Sequence, residues 1–248
     1  MKGNYLKSIE LVKEKVLSFD EFPFCLPIIK DMGKLEFRSQ VTYIVGENGM
    51  GKSTFLEALA MNLGFNPEGG SFNFNFSTFD SHSKLGDYIR LAKGARRPKD
   101  GFFLRAETFY NLASNIEALD SEEAPGPRVI DSYGGVSLHE QSHGESFFSL
   151  FMHRFGGNGL YILDEPEAAL SPLRQISMLS RIHELAGQNS QFIIATHSPI
   201  IMAYPDSQIF ELTEEGVNET SLEETNHYRM MKQFFLDKDR LLHHLFEK

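Results

Sequence analysis

Cysteine is nearly absent from this chain. Cys25 is the only one in 248 residues, so no intrachain disulfide can form, which fits a reducing compartment. Long apolar runs are absent as well. Residues 41–45 and 200–204 fall far short of the ~18–20 residues that a membrane span needs. The opening stretch, M-K-G-N-Y-L-K-S-I-E, lacks the apolar core of a signal peptide. The expectation is a cytoplasmic protein with no membrane contact. Positive charge is the scarcer sign: 24 Lys and Arg stand against 34 Asp and Glu, a net −10. That disfavours a surface coated in nucleic acid, although a local basic patch remains compatible with weak DNA contact. There are no internal repeats and no low-complexity tail. What is there is ordinary for a globular chain, with 41% hydrophobic residues and a length that allows one large domain or two small ones.

One stretch organises the rest. Residues 41–58 read V-T-Y-I-V-G-E-N-G-M-G-K-S-T-F-L-E-A and contain Gly46-x-x-x-x-Gly51-Lys52-Ser53, the pattern of a phosphate-binding loop. The apolar run 41–45 predicts a buried parallel strand. Phe55, Leu56, Leu59, Ala60 and Leu63 recur at helical spacing behind it. A strand feeding a glycine-rich loop into a helix gathers backbone N–H groups and the positive helix end around a phosphate. Gly46, Glu47, Asn48, Gly49, Met50, Gly51, Lys52, Ser53 and Thr54 are the candidate nucleotide-binding residues. Lys52 supplies a point charge for the β- and γ-phosphates, and Ser53 a hydroxyl for Mg²⁺.

Other buried strands are expected at 101–105, 160–163, 192–195 and 209–212, with a short one at 35–37. Residues 72–76 alternate strictly and read as a half-exposed strand, and less regular strands are read over 5–16 and 85–91. Helices are expected over 107–118, 145–155, 173–186 and 223–247. The alternation of buried strands and helices points to an α/β fold. Residues 65–71 break the helix after the phosphate loop, and 120–128 read as a polar loop.

A second constellation follows. Residues 160–165, L-Y-I-L-D-E, form an apolar strand ending in two carboxylates. Behind a phosphate loop, Asp164 is placed to hold Mg²⁺ and Glu165 to orient the attacking water. Ser142 is a candidate N-cap, with Glu145 at the capping-box position three residues on. His197 follows the strand 192–195, at the end where ligands bind in open α/β sheets. Glu107 follows the strand 101–105.

Together these pieces resemble the ATP-binding-cassette class of ATPases. Ser142, His143, Gly144 and Glu145 resemble the signature motif, which in a dimer contacts ATP held by the other subunit. Asp164 and Glu165 match the second nucleotide motif and its catalytic glutamate. Residues 168–171 resemble the dimer-facing loop, and His197 matches the switch histidine. Ser142 and Asp164 lie 22 residues apart, and Asp164 and His197 lie 33 apart, intervals typical of the class. The loop G-E-N-G-M-G-K-S-T-F-L-E-A and T-H-S-P at 196–199 resemble the RecF, SMC and OLD branch. Nearly the whole chain, including 96–107 and the segment from His227-Tyr228 onward, resembles a family of small stand-alone bacterial AAA/ABC-like ATPases. The resemblance implies a single domain over 1–248, an α/β P-loop NTPase. Its central, mostly parallel sheet would be flanked by helices, with a small antiparallel β subdomain and a helical signature lobe near 107–157. It implies ATP and Mg²⁺ as ligands, with Ser53, Asp164 and Glu107 toward the metal.

Three positions depart from the class. Glu107 stands where glutamine is usual, His143 where glycine is usual, and Ser171 where aspartate is usual. There is no coiled-coil insertion between Thr54 and Ser142, and only 51 residues follow His197, too few for the nuclease domain of OLD proteins. Two features stay open. Phe22 to Phe24 could stack on adenine or pack in the core, and Arg96, Arg97 and Lys99 could meet nucleic acid or only water. His139 and His143 are four apart, a spacing that could share a metal on a helix, but the helix is read as starting only after Ser142, and His153 lies ten residues on, so no structural zinc site is expected. His243 and His244 are expected to flank an apolar helix face. The leading expectation is an ATP-hydrolysing, nucleotide-dependent homodimer that acts as a conformational switch. The alternatives are a slowly hydrolysing regulatory module for a partner effector such as a nuclease or toxin, and a transporter nucleotide-binding subunit.

Overall fold

The computed structural model describes residues 3–72, 84–121 and 128–247. Their strands are β1 Leu6–Leu11, β2 Lys34–Glu36, β3 Val41–Gly46, β4 Gly70–Ser71, β5 Ile89–Lys93, β6 Asp100–Arg105, β7 Gly159–Asp164, β8 Gln191–Ala195, β9 Gln208–Thr213 and β10 Gly216–Thr220. The helices are α1 Pro27–Lys30, α2 Lys52–Leu63, α3 Phe109–Ser121, α4 His143–Arg154, α5 Pro172–Gly187, α6 Pro199–Met202, α7 Asn226–Leu236 and α8 Lys238–Phe246.

The fold is α/β, with a mixed, mostly parallel sheet in the order β10-β9-β3-β8-β7-β6-β4. The five inner strands run parallel, while β10 and β4 close the edges antiparallel. Both faces are covered, which is why these strands read as unbroken apolar runs. Alternation sorts their side chains. Tyr43, Val45, Tyr161, Leu163, Phe192 and Ile194 pack on one face with α3, α4 and α5 residues such as Phe109, Phe147 and Met178. Ile44, Ile162, Ile193 and Ala195 pack on the other with Phe55, Leu56 and Leu59 of α2. A small antiparallel sheet, β2-β1-β5, shares that second core.

Several elements differ from expectation. Strand β1 stops at Leu11, and 13–15 form a 3-10 turn in place of further strand. Residues 84–88 are also 3-10, so β5 begins only at Ile89. The long C-terminal helix is two helices. Its break is at Asp237, whose backbone (φ −141°, ψ 46°) leaves the helical region. The strand β10 is not expected from its sequence. The strand expected at 72–76 has all but its first residue outside the described residues, as does the 122–127 part of the polar loop.

The α7–α8 pair buries no residue of its own. Met230, Phe235, Leu236, Leu245 and Phe246 are all more than 60% exposed. A groove of about 640 Å³ runs between the two helices, lined by Met230, Leu241 and Leu245 among others. The apolar stripe read from the sequence exists, but it faces outward. His243 and His244 are exposed beside it.

Candidate functional site

The phosphate loop connects β3 to α2. At Gly46 the backbone takes φ +147°, and a Cβ there would stand 2.7 Å from the Leu212 carbonyl oxygen of neighbouring β9. At Gly51, φ is +93°, and a Cβ would meet Ile28 at 2.9 Å. Glycine is therefore required at both ends of the loop. Helix α2 opens on Lys52, which is only 4% exposed. Its ammonium donates to the carbonyls of Gly46 at 2.8 Å and Glu47 at 3.0 Å. Burial lowers its pKa, while Glu165, Asp164, Glu167 and Glu47 oppose the shift.

Strand β7 delivers Asp164 to the other side. Ser53 Oγ donates to Asp164 Oδ1 at 3.1 Å, joining residues 111 positions apart. Burial raises the Asp164 pKa to about 6, against the opposing pull of Arg105 and of the Ser53 hydrogen bond. A carboxylate this poorly compensated favours a nearby cation. With the Ser53 hydroxyl it forms an all-oxygen pair, the donor chemistry that suits Mg²⁺. The residues present thus fit the metal that the sequence suggests.

Glu165 sits in the left-handed region (φ 50°, ψ 53°), an uncommon conformation for a residue with a side chain. Its N–H donates to the Ala195 carbonyl at 3.0 Å, tying the end of β7 to β8. Glu165 Oε1 lies 3.2 Å from His197 Nε2. His197 follows β8, and its N–H donates to Glu167 Oε1. Burial and then Lys52 lower the His197 pKa, with Glu165 opposing. Lys52, Ser53, Asp164, Glu165 and His197 therefore converge where β3, β8 and β7 end side by side.

Glu107 does not join this group. Its side chain is 83% exposed, and among the described residues its one ion pair is with Arg105, at 3.7 Å. Residues 142–145 also stand apart. Among the described residues no hydrogen bond or ion pair links them to the phosphate loop. Ser142 precedes α4, and the Glu145 carboxylate accepts from its N–H at 3.1 Å and its hydroxyl at 2.6 Å. His143 is exposed, edge-on to Phe109. A Cβ on Gly144 would stand 2.6 Å from the Ala169 carbonyl, so α4 starts in close contact with 168–171. Ser171 caps α5 through the Arg174 N–H. Phe24 packs edge-on to Tyr88, whereas Phe22 is 67% exposed. The open reading of that loop thus splits between its two aromatics.

Sequence reasoning missed three residues. Arg105 ends β6 beside Asp164, with Nε 3.5 Å from Oδ2, and also bonds Glu57 at 2.9 Å. Glu167 holds the His197 backbone. His227, in the first turn of α7, places Nε2 3.0 Å from His197 Nδ1. An arginine ending a buried strand next to 160–164 was a usable signal for Arg105. The other two carry no local signal.

The family described as "AAA domain, putative AbiEii toxin, Type IV TA system" matches residues 78–203, half of the chain. The chain belongs to this AAA family. A second AAA-domain family matches residues 24–122, across the phosphate loop. An uncharacterized ABC transporter ATP-binding protein of Haemophilus influenzae is 25% identical over 71% of each chain. The energy-coupling factor transporter ATP-binding protein EcfA2 of Methanospirillum hungatei is 26% identical over 83% of this chain, which spans about half (54%) of that relative. Among solved structures, an ATP-binding cassette of an ABC transporter superposes with TM-score 0.56, at 17% identity, over 96% of this chain and 98% of the other. The fold is that of the P-loop ABC ATPases, and this AAA-family member is an ATP-binding ATPase of that type.

Proposed function

We propose that this AAA-family ATPase hydrolyses ATP between two copies of itself and switches with the opening and closing of that dimer. The observation that carries the reading is a division of parts. Lys52, Ser53, Asp164, Glu165 and His197 converge at three strand ends, while Ser142, His143 and Glu145 are exposed at the start of α4 with no bond to that centre. In this reading a detached, exposed signature segment completes the site of a second copy related by a two-fold axis.

In this reading the loop N–H groups of residues 46–54 hold the phosphates, and Lys52 exchanges the Gly46 and Glu47 carbonyls for phosphate oxygens. Ser53 and Asp164 hold Mg²⁺, which neutralises phosphate charge when bound. Glu165 orients the attacking water. His197 donates to a γ-phosphate oxygen as that oxygen gains charge. Arg105 sets a positive charge against Asp164, and the exposed Phe22 stacks on adenine. The other copy contributes Ser142 and the α4 N-terminus, with His143 beside the phosphate. Glu107 stands outside the contact shell, where it pairs with Arg105 and adds a more distant negative charge to Asp164. Catalysis is positioning plus charge neutralisation. Residues 1–248 work as one ATPase domain, with 107–157 carrying the signature lobe.

A second reading keeps the nucleotide site and assigns slow turnover that controls a separate protein effector. The exposed apolar face of α7–α8 favours it, since such surface on a helix pair marks a place for a protein partner. Some relatives are named for transport. No helix among the described residues is long and apolar enough to cross a membrane, so a transport role would need a membrane-spanning part other than these residues.

The test is Glu165→Gln. A group that only orients water acts in the transition state, so its loss lowers kcat and leaves affinity intact. With Mg·ATP the variant is expected to elute as a dimer by light scattering, and with ADP as a monomer. Adding Ser142→Arg should abolish the dimer by pressing a bulky group against the other copy's phosphate, and Lys52→Ala should abolish it by losing ATP. A monomer under every condition would discard the shared site and leave the regulatory reading in front.

A further inference from the structure

Two histidines stand in line behind Glu165. His197 Nε2 faces Glu165 Oε1 at 3.2 Å, and His197 Nδ1 faces His227 Nε2 at 3.0 Å. The two rings meet edge-on, with centroids 5.0 Å apart. The protons can be assigned in order. A carboxylate only accepts, so His197 Nε2 carries a proton. A neutral imidazole has one N–H, so His197 Nδ1 is bare and accepts. The proton between the rings therefore belongs to His227 Nε2, and His227 Nδ1 is bare. That last atom is buried without a partner among the described residues. The reverse assignment would bury an unpaired N–H there, and orphaned donors are the rarer defect. The surroundings of His197, burial first and Lys52 next, keep its ring neutral more readily than usual.

We infer that His227 is a positioning residue that holds His197 as its Nε2–H tautomer, so that the switch histidine always presents a donor toward Glu165 and the γ-phosphate. This rests on the role proposed above for His197. The role belongs to the C-terminal hairpin, because His227 lies in the first turn of α7. It also lines a cavity of about 260 Å³ with Glu47, Met50 and Thr213, so it stands across that space from the phosphate loop. His227 touches no reacting atom. It acts by removing the alternative in which His197 points a bare nitrogen at a carboxylate or a phosphate.

Gln and Glu in place of His227 have nearly the same shape but opposite hydrogen-bonding sense. His227→Gln can put an N–H where Nε2 was, whereas His227→Glu can only accept, so it calls a second proton onto Nδ1 and makes the His197 ring a cation held between two carboxylates. In the full-length chain with Mg·ATP, His227→Gln is expected to keep kcat within about threefold. His227→Glu should lose about a hundredfold or more in kcat with KM changed less than about threefold, because a cationic ring ties up the Glu165 carboxylate that must face the water. In ¹⁵N spectra the His197 ring should stay Nε2–H in His227→Gln and carry protons on both nitrogens in His227→Glu. His197→Ala should be as slow as His227→Glu, and the double variant no slower than either. Equal turnover in the Gln and Glu variants, or a His197 ring still protonated at Nε2 alone in His227→Glu, overturns the inference while an inactive His197→Ala leaves the proposed function standing. Full turnover in His197→Ala overturns the role of His197 in that function instead, and the ring spectra then judge the His227 assignment by themselves.

Discussion

Asp164 shows how one residue can be costly to the fold and necessary to the site. It is 5% exposed, and burial lifts its pKa from the ordinary 3.8 to about 6. A folded-state value above the unfolded one means that the protonated group favours folding. That contribution is whole below about pH 4 and is lost as pH rises through about 6. Asp164→Asn carries no such charge. Its Tm without nucleotide is therefore expected to match the parent near pH 4 and to exceed it by a few degrees at pH 7.5, measured by scanning calorimetry. The same substitution should abolish Mg-dependent ATP turnover. A lower Tm at pH 7.5 would mean that the Arg105 ion pair outweighs desolvation.

At the scale of elements, two glutamines join the small sheet to the large one. The Gln191 amide, 1% exposed in β8, accepts from Leu6 N–H and donates to Leu6 C=O, both at 2.9 Å. Gln208 in β9 does the same between Arg38 N–H at 2.9 Å and Glu36 C=O at 3.0 Å. An amide can satisfy one donor and one acceptor at once, which is why it suits a strand that ends against another sheet. Gln191→Leu keeps the volume and strands both Leu6 groups. It is expected to cost about 2–4 kcal/mol in urea unfolding, since each unpaired buried group costs about 1–3 kcal/mol. Hydrogen exchange at Leu6 should quicken, while β3 and α2 keep their protection. Uniform loss of protection would show that the sheets unfold as one unit.

At the scale of the molecule, charge is unevenly spread. The net is −10, yet Lys93, Arg96 and Arg97 line one cavity of about 620 Å³ with Tyr5 and Phe72, and Lys99 follows close by in sequence. No carboxylate among the described residues pairs with these four. The cavity includes Leu63 at the end of α2 and Leu160 near the start of β7, so it lies at the opposite end of the sheet from the phosphate loop. Any DNA bound there meets a small cationic patch on a repelling body. Binding of a duplex is expected to be weak and steeply salt-dependent, measured by fluorescence anisotropy. Replacing Arg96, Arg97 and Lys99 together should flatten the log–log salt slope by about one unit per cation removed. Tight binding indifferent to salt would show another surface at work.

The short-range patterns were legible in the sequence. β3, β7 and β8 are continuous apolar runs because a sheet covered on both faces demands them, and α5 shows its stripe because one side faces water. The glycines at 46 and 51 announce backbone angles that other residues resist. The Ser142–Glu145 cap is readable because both partners lie within one turn. Tertiary structure decided the rest. β10 reads G-V-N-E-T, and it is a strand because β9 offers it a ladder. The apolar stripe of α7–α8 predicts burial, and only the fold shows it facing out. Ser53 meets Asp164 across 111 residues, and His197 meets His227 across 30. Strand order and the placement of α7 create those contacts. Motifs already point Ser53 and Asp164 at one metal, but nothing in the sequence marks the contact of His197 with His227, because a hydrogen bond between distant segments leaves no period in the chain.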